Sequence, residues 1–544
     1  MREKTDYVKV SSYEGKKGEI KKVVLLYSGG LDTSVMVKWI QEEYKAEVIA
    51  LTIDIGQQAD DLEEIRKKAL KLGASKAYVI DAKDEFAEEY IAKSIKMNGM
   101  YQGRYYLATP LGRPLLAKWA VKIAEKEGAD AIAHGATGKG NDQVRMEGTA
   151  LALNPDIKII APVREWGMGR DEELAYAKKH KIPVQQTSAK IYSYDDNMWG
   201  VSAEGGEIEN PALIAPLNKI LAVCKEPEKA PDKAEIIELE FVKGLPVSLN
   251  GKGMKLSDLI IALNKIGAKH AIGISTHIED RVVGLKIRNV FEAPGAEIII
   301  NAHKDLEKYV STRYENEFKP TIDTKFAYLC YAGLWLEPLM GDMLAYANKV
   351  NEKVTGTVKM KLYKGMALPV AIETPNTIFE EKLATFMAST AFNQNASPGF
   401  IELHTLQMRQ AQRAEKTVLM SVGLRENKMK LKKEMMRLHK LGYKMYATYK
   451  THKFLQSLGI EDAILVNKIS DGGKGPQLEN MLQQNRFDLI INIPTGGKDK
   501  EKTDGQQIRE YALKNNTHLV TDVTVAKNLV KKLWESADKS DDQE

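Results

Sequence analysis

The chain has 544 residues, is 43% hydrophobic and 28% charged, and carries a formal net charge of only +5. That length exceeds one ordinary core and calls for roughly two to four domains, while the near-balanced charge gives no argument for a nucleic-acid partner. Cys224 and Cys330 supply neither a disulfide framework nor a metal-ligand set, and no apolar run reaches the roughly 18 residues of a membrane span. The polar N-terminus does not read as a signal peptide, so a cytoplasmic protein without membrane contact is expected.

In chain order, residues 19–187 alternate strands (22–27, 47–53, 77–81, 131–133, 158–161) with helices (34–44, 61–72, 115–127). Short buried strands joined by helical crossovers imply an open, mostly parallel sheet whose ligands gather beyond the carboxyl ends of its strands. Residues 188–410 read as an α+β domain with strands at 236–241 and 355–362 and helices at 256–266 and 326–348, followed by a polar connector at 408–415. A small α/β domain at 415–535 follows, with strands at 417–422, 444–447, 488–492 and 518–521 and helices at 428–441, 451–458 and 506–515. The 428–441 helix is expected to turn Leu431, Met435, Met436 and Leu438 inward and its lysines to water, and the tail from 538 is expected to be disordered.

A strand-like stretch runs into Tyr27-Ser28-Gly29-Gly30-Leu31-Asp32-Thr33-Ser34 and then a helix. A glycine-rich turn opening a helix offers the convergent N–H donors that phosphate oxygens need. The spacing is neither a Walker loop nor a dinucleotide fingerprint, and suggests attack at an α-phosphorus with pyrophosphate as leaving group. Asp32 can orient this loop, help hold Mg²⁺, or serve as a plain helix-start carboxylate. A second loop, His134-Gly135-Ala136-Thr137-Gly138-Lys139-Gly140-Asn141-Asp142-Gln143-Val144-Arg145, carries enough varied polar chemistry to grip the charged ends of an amino acid. Arg145 stands out because a planar guanidinium pairs bidentately with carboxylate or phosphate. Tyr105 and Thr109–Arg113 can line the same crevice or simply pack before a helix. Ser193, Ser202 and Glu204 lie in a polar, glycine-containing segment longer than a connector needs, and His134 reads equally as packed or catalytic. No His/Cys/Asp cluster has metal-ligand spacing, so any metal is expected to be Mg²⁺ carried by nucleotide phosphates.

With both loops in view, the first 410 residues resemble argininosuccinate synthases, whose N-terminal domain is an N-type ATP pyrophosphatase. The resemblance rests on YSGGLDTS (27–34), DIGQ (54–57), HGATGKGNDQVR (134–145), KIIAPVREW (158–166), SYDDNMWGVSAEGG (193–206), IEDRVVGLK (278–286) and VTGTVKMKLYKG (354–365). It implies ATP-dependent condensation of citrulline with aspartate: the ureido oxygen attacks the α-phosphorus, pyrophosphate leaves, and the aspartate amine displaces AMP from the citrullyl-adenylate. By the same resemblance Tyr27, Ser28, Gly29, Gly30, Asp32, Thr33, Ser34 and Gly135 hold ATP. Thr137, Asn141 and Asp142 contact aspartate, and Tyr105, Asn141, Arg145, Ser193, Ser202 and Glu279 contact citrulline. Asp32, Asp142 and Arg113 are the catalytic candidates, ATP and Mg²⁺ the cofactors, and a homotetramer the expected assembly.

The departures fall on the amino-acid side. Pro110 stands where the family has a serine, Phe291 where it has a tyrosine, Gly273-Ile274-Ser275-Thr276 replaces Gly-Arg-Ile-Asp, and Lys286-Ile287-Arg288-Asn289 replaces Lys-Ser-Arg-Gly. Two alternatives therefore stay open: a ligase adenylating another carbonyl-bearing substrate, or a non-catalytic ligand-binding relative. Residues 415–535 resemble methylglyoxal-synthase-like domains through 444–451, SDGGKGPQLENML (470–482), FDLIINIPTGG (487–497), TDGQQIRE (503–510) and 517–527. Lys474 and Thr503 replace the catalytic carboxylate and histidine of methylglyoxal synthase. The resemblance therefore implies a ligand-sensing module, with Thr448, Lys450, Thr451, Thr495 and Gly496 as an effector site, or else a structural domain.

Overall fold

The computed structural model describes residues 7–58, 61–183, 191–387, 390–467, 477–484, 486–495 and 504–541, the side chains of 412–414 and 538–541 excepted. The chain divides into two compact units, Met1–Glu381 and Lys382–Glu544.

In the first unit, β1 (Lys22–Leu26), β2 (Glu47–Asp54), β3 (Lys76–Asp81), β4 (Ala131–Ala133) and β5 (Lys158–Ile160) form a sheet of order β3-β2-β1-β4-β5. Every pairing in it is parallel. Val23, Val24 and Leu25 are buried because helices cover both faces, which explains the unbroken apolar run of the central strand. Helix Leu31–Glu43 buries Val35, Met36, Val37, Trp39 and Ile40 against one face, and helix Ala108–Glu127 runs across the other. The N-terminal segment extends the edge: Glu14 bridges Ile159 of β5 in parallel fashion.

Among the described residues, nine further strands of this unit make two antiparallel sheets. They are β6 (Ser193–Asn197), β7 (Gly200–Glu204), β8 (Glu235–Val242), β9 (Leu245–Leu249), β10 (Lys252–Gly253), β11 (Ile274–Asp280), β12 (Lys286–Glu292), β13 (Gly356–Tyr363) and β14 (Met366–Glu373). One sheet has the order β10-β9-β8-β13-β14 and the other β11-β12-β7-β6. The second sheet supplies much of the candidate site. Helices Pro294–Val310 and Arg313–Tyr331 share a buried charge cluster in which Lys319, 2% exposed, reaches Asp323 at 2.7 Å and Glu307 at 3.0 Å.

The expected 326–348 helix is instead two, Arg313–Tyr331 and Pro338–Asn351. Gly333 adopts φ +76° and Pro338 occupies the first position of the second helix, so the chain turns where apolar periodicity alone would continue. The polar 193–206 segment folds as the β6–β7 hairpin, and the helix expected from 115 begins at Ala108.

The second unit contains a parallel sheet of β15 (Thr417–Val422), β16 (Lys444–Thr448), β17 (Ile464–Val466), β18 (Leu489–Ile493) and β19 (His518–Val520), in the order β17-β16-β15-β18-β19. The expected 428–441 helix breaks at Leu431 into Arg425–Lys430 and Lys432–Lys440. Leu431, Met435 and Leu438 are buried as the pattern requires, but Met436 is exposed. Lys428 is buried, its ammonium donating to the Gly423 carbonyl at 2.7 Å rather than facing water. The tail expected to be disordered from 538 begins inside helix Val523–Asp541, in which the Lys531–Glu535 pair bridges successive turns, and residues 542–544 of that tail lie outside the described residues. Before β15, helices Ser397–His404 and Leu406–Ala414 leave Phe400, Ile401, Leu403, Leu406 and Met408 exposed.

Candidate active site

Tyr27 to Ser34 form the turn between β1 and its following helix. Gly29 sits at φ +80° with the Ile65 side chain where a Cβ would go, so only glycine is comfortable there. Gly30 caps the helix without any side-chain hydrogen bond to the first turn, leaving backbone donors open at the positive end of the dipole. Tyr27 and Ser34 are buried, their hydroxyls 3.2 Å apart, and Ser34 also donates to the Gly30 carbonyl at 2.6 Å. These two hydroxyls brace the turn, while Ser28, Gly30 and Asp32 lie on its exposed rim. Thr33 reaches Ser28 across the rim at 3.2 Å.

Asp32 accepts from Arg170 at 3.1 Å. Behind it, burial and the Asp32 carboxylate push Glu173 up to about 8. Gly135, at the end of β4, packs so closely on Met36 that a Cβ would come within 2.9 Å of its methyl group. His134 is buried and meets Glu147 at 3.0 Å, and Arg164 pairs with the same carboxylate at 2.7 Å. His134 therefore belongs to the packing beneath the loop. Arg164 also donates to Gln143 at 2.9 Å, and Gln143 in turn donates to the Gly138 carbonyl at 2.7 Å.

Beyond that loop, helix Asp142–Leu153 presents its first turn to helix Ala108–Glu127. Arg113 donates from Nε to Asp142 at 2.8 Å and from Nη2 to Asp195 of β6 at 2.8 Å. Arg145 donates to the other Asp142 oxygen at 2.9 Å. Burial alone would raise the Asp142 carboxyl, but Arg113 and Arg145 together hold it down to about 2. Arg145 also donates from Nε to the Tyr331 carbonyl at 3.0 Å, and its guanidinium lies 4.9 Å from the centre of the Tyr331 ring. Asn141 donates to the Tyr331 hydroxyl at 2.8 Å and accepts from the Val282 N–H at 2.9 Å. A Cβ on Gly333 would come within 2.8 Å of the Arg145 Cα, which explains why the turn after Tyr331 needs glycine.

The β11-β12-β7-β6 sheet closes the opposite wall. Cα partners in antiparallel pairs share a face. Ser193 with Glu204, Asp195 with Ser202, Ser202 with Phe291 and Asn289 with His277 all follow this rule, and Glu279 lies on the same face of β11 two residues from His277. Glu279 is buried; burial raises its carboxyl while Arg145 and Arg281 oppose the rise. Arg281 pairs with Glu204 and donates to the Lys139 carbonyl at 3.3 Å, tying the β11–β12 hairpin to the 134–145 loop. Tyr105 accepts from the Thr109 N–H at 3.0 Å and stacks on Phe291, ring centres 4.2 Å apart. Pro110 occupies the first turn of helix Ala108–Glu127, where a missing N–H costs the helix nothing.

Tyr105, Asn141, Asp142, Arg145, Ser202 and Glu279 thus face one crevice, with Arg113 at its floor and the exposed Thr137 and Ser193 at its rim. Three participants escaped sequence reasoning: Tyr331, Asp195 and Arg281. Asp195 and Arg281 lay inside motifs already noted, and the Gly333 turn was the local signal for Tyr331. A cavity of about 480 Å³ beside Met198, Val201, Ile261 and Pro294 contains no residue of either loop.

In the second unit, Thr448 is the last residue of β16, and Lys450 and Thr495 follow the carboxyl ends of β16 and β18. Thr448 precedes helix Tyr449–Gln456, Lys450 is exposed, and the Thr495 methyl packs on Gly423. Thr451 is buried, and its hydroxyl is engaged by both peptide groups of Val422, at 3.0 and 3.3 Å. It buttresses β15 rather than opening onto a ligand. Gly496, Lys474 and Thr503 lie outside the described residues.

A parallel α/β sheet with a glycine-rich turn at the end of its first strand, closed by an α+β half carrying opposed arginines and carboxylates, defines a ligase of the ATP-pyrophosphatase class. The comparisons give the family. Residues 22–183 match the "Arginosuccinate synthase N-terminal HUP domain", 192–411 the "Arginosuccinate synthase C-terminal domain" and 431–521 the "MGS-like domain". An argininosuccinate synthase of Pyrococcus furiosus is 50% identical over 386 residues, covering 71% of this chain and 93% of that one. Those of Oceanobacillus iheyensis and Carboxydothermus hydrogenoformans are 49% and 48% identical, covering 70% and 71% of this chain and 91% and 96% of theirs. The chain belongs to the argininosuccinate synthase family and carries an additional MGS-like domain.

Proposed function

We propose that the protein joins citrulline to aspartate at the expense of ATP, through a citrullyl-adenylate, releasing pyrophosphate and then AMP. The observation that carries this reading is the ionic floor Asp195–Arg113–Asp142–Arg145, which holds two guanidiniums and two carboxylates in fixed register between the nucleotide turn and the β11-β12-β7-β6 sheet. Fixed charges of both signs in one crevice suit two zwitterionic amino acids and cost no reorganisation during reaction. The open backbone donors at 31–33 are suited to the pyrophosphate oxygens, and Thr137, Asn141 and Asp142 to aspartate. Tyr105, Arg145, Ser193, Ser202 and Glu279 are suited to citrulline, and Tyr105 still has its hydroxyl proton to donate.

Among the described residues no group of three His, Cys, Asp or Glu side chains is placed to hold a metal ion. Mg²⁺ fits this site as a companion of the nucleotide phosphates, with Asp32 the one carboxylate on the rim of the turn. When bound, it neutralises charge building on the leaving pyrophosphate. No side-chain nucleophile is needed, because the ureido oxygen attacks directly.

The exposed apolar side chains of residues 397–408 support self-association, and a homotetramer is the assembly we infer. Lys450, Thr448 and Thr495 support an anionic effector site in the second unit, and the cytoplasm is the compartment we infer. The domain limits we adopt are 19–187, 188–410 and 415–535. The test is pyrophosphate release and product mass with ATP, Mg²⁺, citrulline and aspartate. Release that needs citrulline, with argininosuccinate as product, is expected; no release above a citrulline-free control overturns the assignment. Pro110 and Phe291, each lacking a hydroxyl, favour a second reading in which another carbonyl-bearing amino acid is adenylated. Substituting such amino acids for citrulline in the same assay separates the two. Sizing of the intact protein checks the assembly.

A further inference from the structure

Among the described residues, three side-chain atoms buried in the crevice make no hydrogen bond: Nε of Arg281, 3.6 Å from the Glu279 carboxylate, Nη2 of Arg145 and Oδ1 of Asn289. Arg145 and Asn289 are 4% and 5% exposed. Their orientations are fixed by other bonds. Arg145 is held through Nε by the Tyr331 carbonyl and through Nη1 by Asp142. Asn289 donates from Nδ2 to the Glu279 carboxylate at 3.0 Å, and a carboxylate only accepts, so the carboxamide oxygen must point the other way. Of these two orphans one is therefore a donor and the other an acceptor, and Glu279 links them, attracted to Arg145 and hydrogen-bonded to Asn289. Asn289 shares its sheet face with Phe291, whose ring stacks on Tyr105 and offers no polar group. Buried polar atoms are seldom left unmatched, and a donor–acceptor pair beside a carboxylate matches an α-amino acid.

We propose that Asn289 is a specificity-determining contact for the adenylated amino acid, its Oδ1 accepting an ammonium or ureido N–H while Arg145 Nη2 takes the carboxylate. The substrate class is a small α-amino acid with an N–H-rich end group. This rests on the reading of the crevice as the amino-acid site. Asn289→Ala and Asn289→Leu both remove the acceptor, one leaving space and the other keeping volume. Calorimetric titration with citrulline, arginine, glutamine and ornithine, each in the presence of a non-hydrolysable ATP analogue, reads the effect on the full chain. Binding of the analogue within about twofold of wild type shows that the variants are folded. Loss of the acceptor is expected to weaken amino-acid binding about 10- to 100-fold in both variants. If the preferred amino acid of the wild type is citrulline, both readings stand. If it is another of the panel and the variants lose it, the inference stands and the citrulline assignment falls. Binding within twofold of wild type in either variant overturns the inference, and a wild type that binds none of the panel overturns both.

Discussion

Replacing Asp142 with asparagine keeps the side chain's shape and removes the charge that Arg113 and Arg145 share. Against the burial that opposes its ionisation, the two guanidiniums hold the carboxyl at about 2, where the ordinary value is 3.8. At 1.36 kcal/mol per unit, that depression is worth about 2 kcal/mol of stability. Because the folded value lies below the unfolded one, the stabilisation is complete above pH 3.8 and disappears as pH falls toward 2. Asp142→Asn is therefore expected to melt about 2–4 °C below wild type at pH 7, with the gap unchanged at pH 5 and closing only in stronger acid. The same change leaves Arg113 and Arg145 poorly oriented, so KM for aspartate should rise at least tenfold while KM for ATP moves little. Melting curves across pH, with steady-state pyrophosphate release, check both. A variant that melts with wild type at pH 7 and keeps its aspartate KM would refute the argument, as would a gap that widens in acid.

The opposite pH dependence is expected at Glu173, where burial and Asp32 place the folded value at about 8. The folded protein holds that proton longer than the unfolded chain, so stability falls as pH rises from 4.5 through 8. Glu173→Gln should then melt with wild type near pH 4 and above it at pH 9, and a variant less stable at pH 9 contradicts this. Lys319→Met strands Glu307 and Asp323 in the interior and should cost about 3–5 kcal/mol, read as a lowered melting temperature or loss of soluble protein. Gly333→Ala meets both the positive φ and the Arg145 backbone, and is expected to cost about 1–3 kcal/mol and to raise the citrulline KM. Unchanged melting and kinetics would show that the turn relaxes freely.

The sequence made the glycine-rich turn at 27–34 legible because strand, glycines and helix are adjacent in the chain and each carries its own local signature. The 134–145 loop was legible for the same reason. What stayed hidden is the far wall. Tyr331 touches Asn141 and Arg145 across nearly two hundred positions, and nothing in its own helix distinguishes an active-site tyrosine from a core one. The helix boundary at Ala332 was missed because apolar periodicity continues through residues where Gly333 and Pro338 decide the backbone. In the second unit, Lys428 looked like a solvated lysine because charge patterning cannot foresee a carbonyl waiting inside at Gly423. Thr451 looked like a ligand contact because a threonine beyond a strand end fits either role until its hydroxyl partners are seen.

The clasp of the Tyr331–Gly333 turn on Arg145 also limits how such an enzyme can be taken apart. Arg145 belongs to the stretch matched by the nucleotide-binding family and Tyr331 to the stretch matched by its partner family, so neither half owns a finished amino-acid site. A chimaera that exchanges one half for that of a relative must carry residues 141–145 and 331–333 as a matched set. Otherwise it will inherit the glycine-rich turn intact but a guanidinium with nothing to aim it.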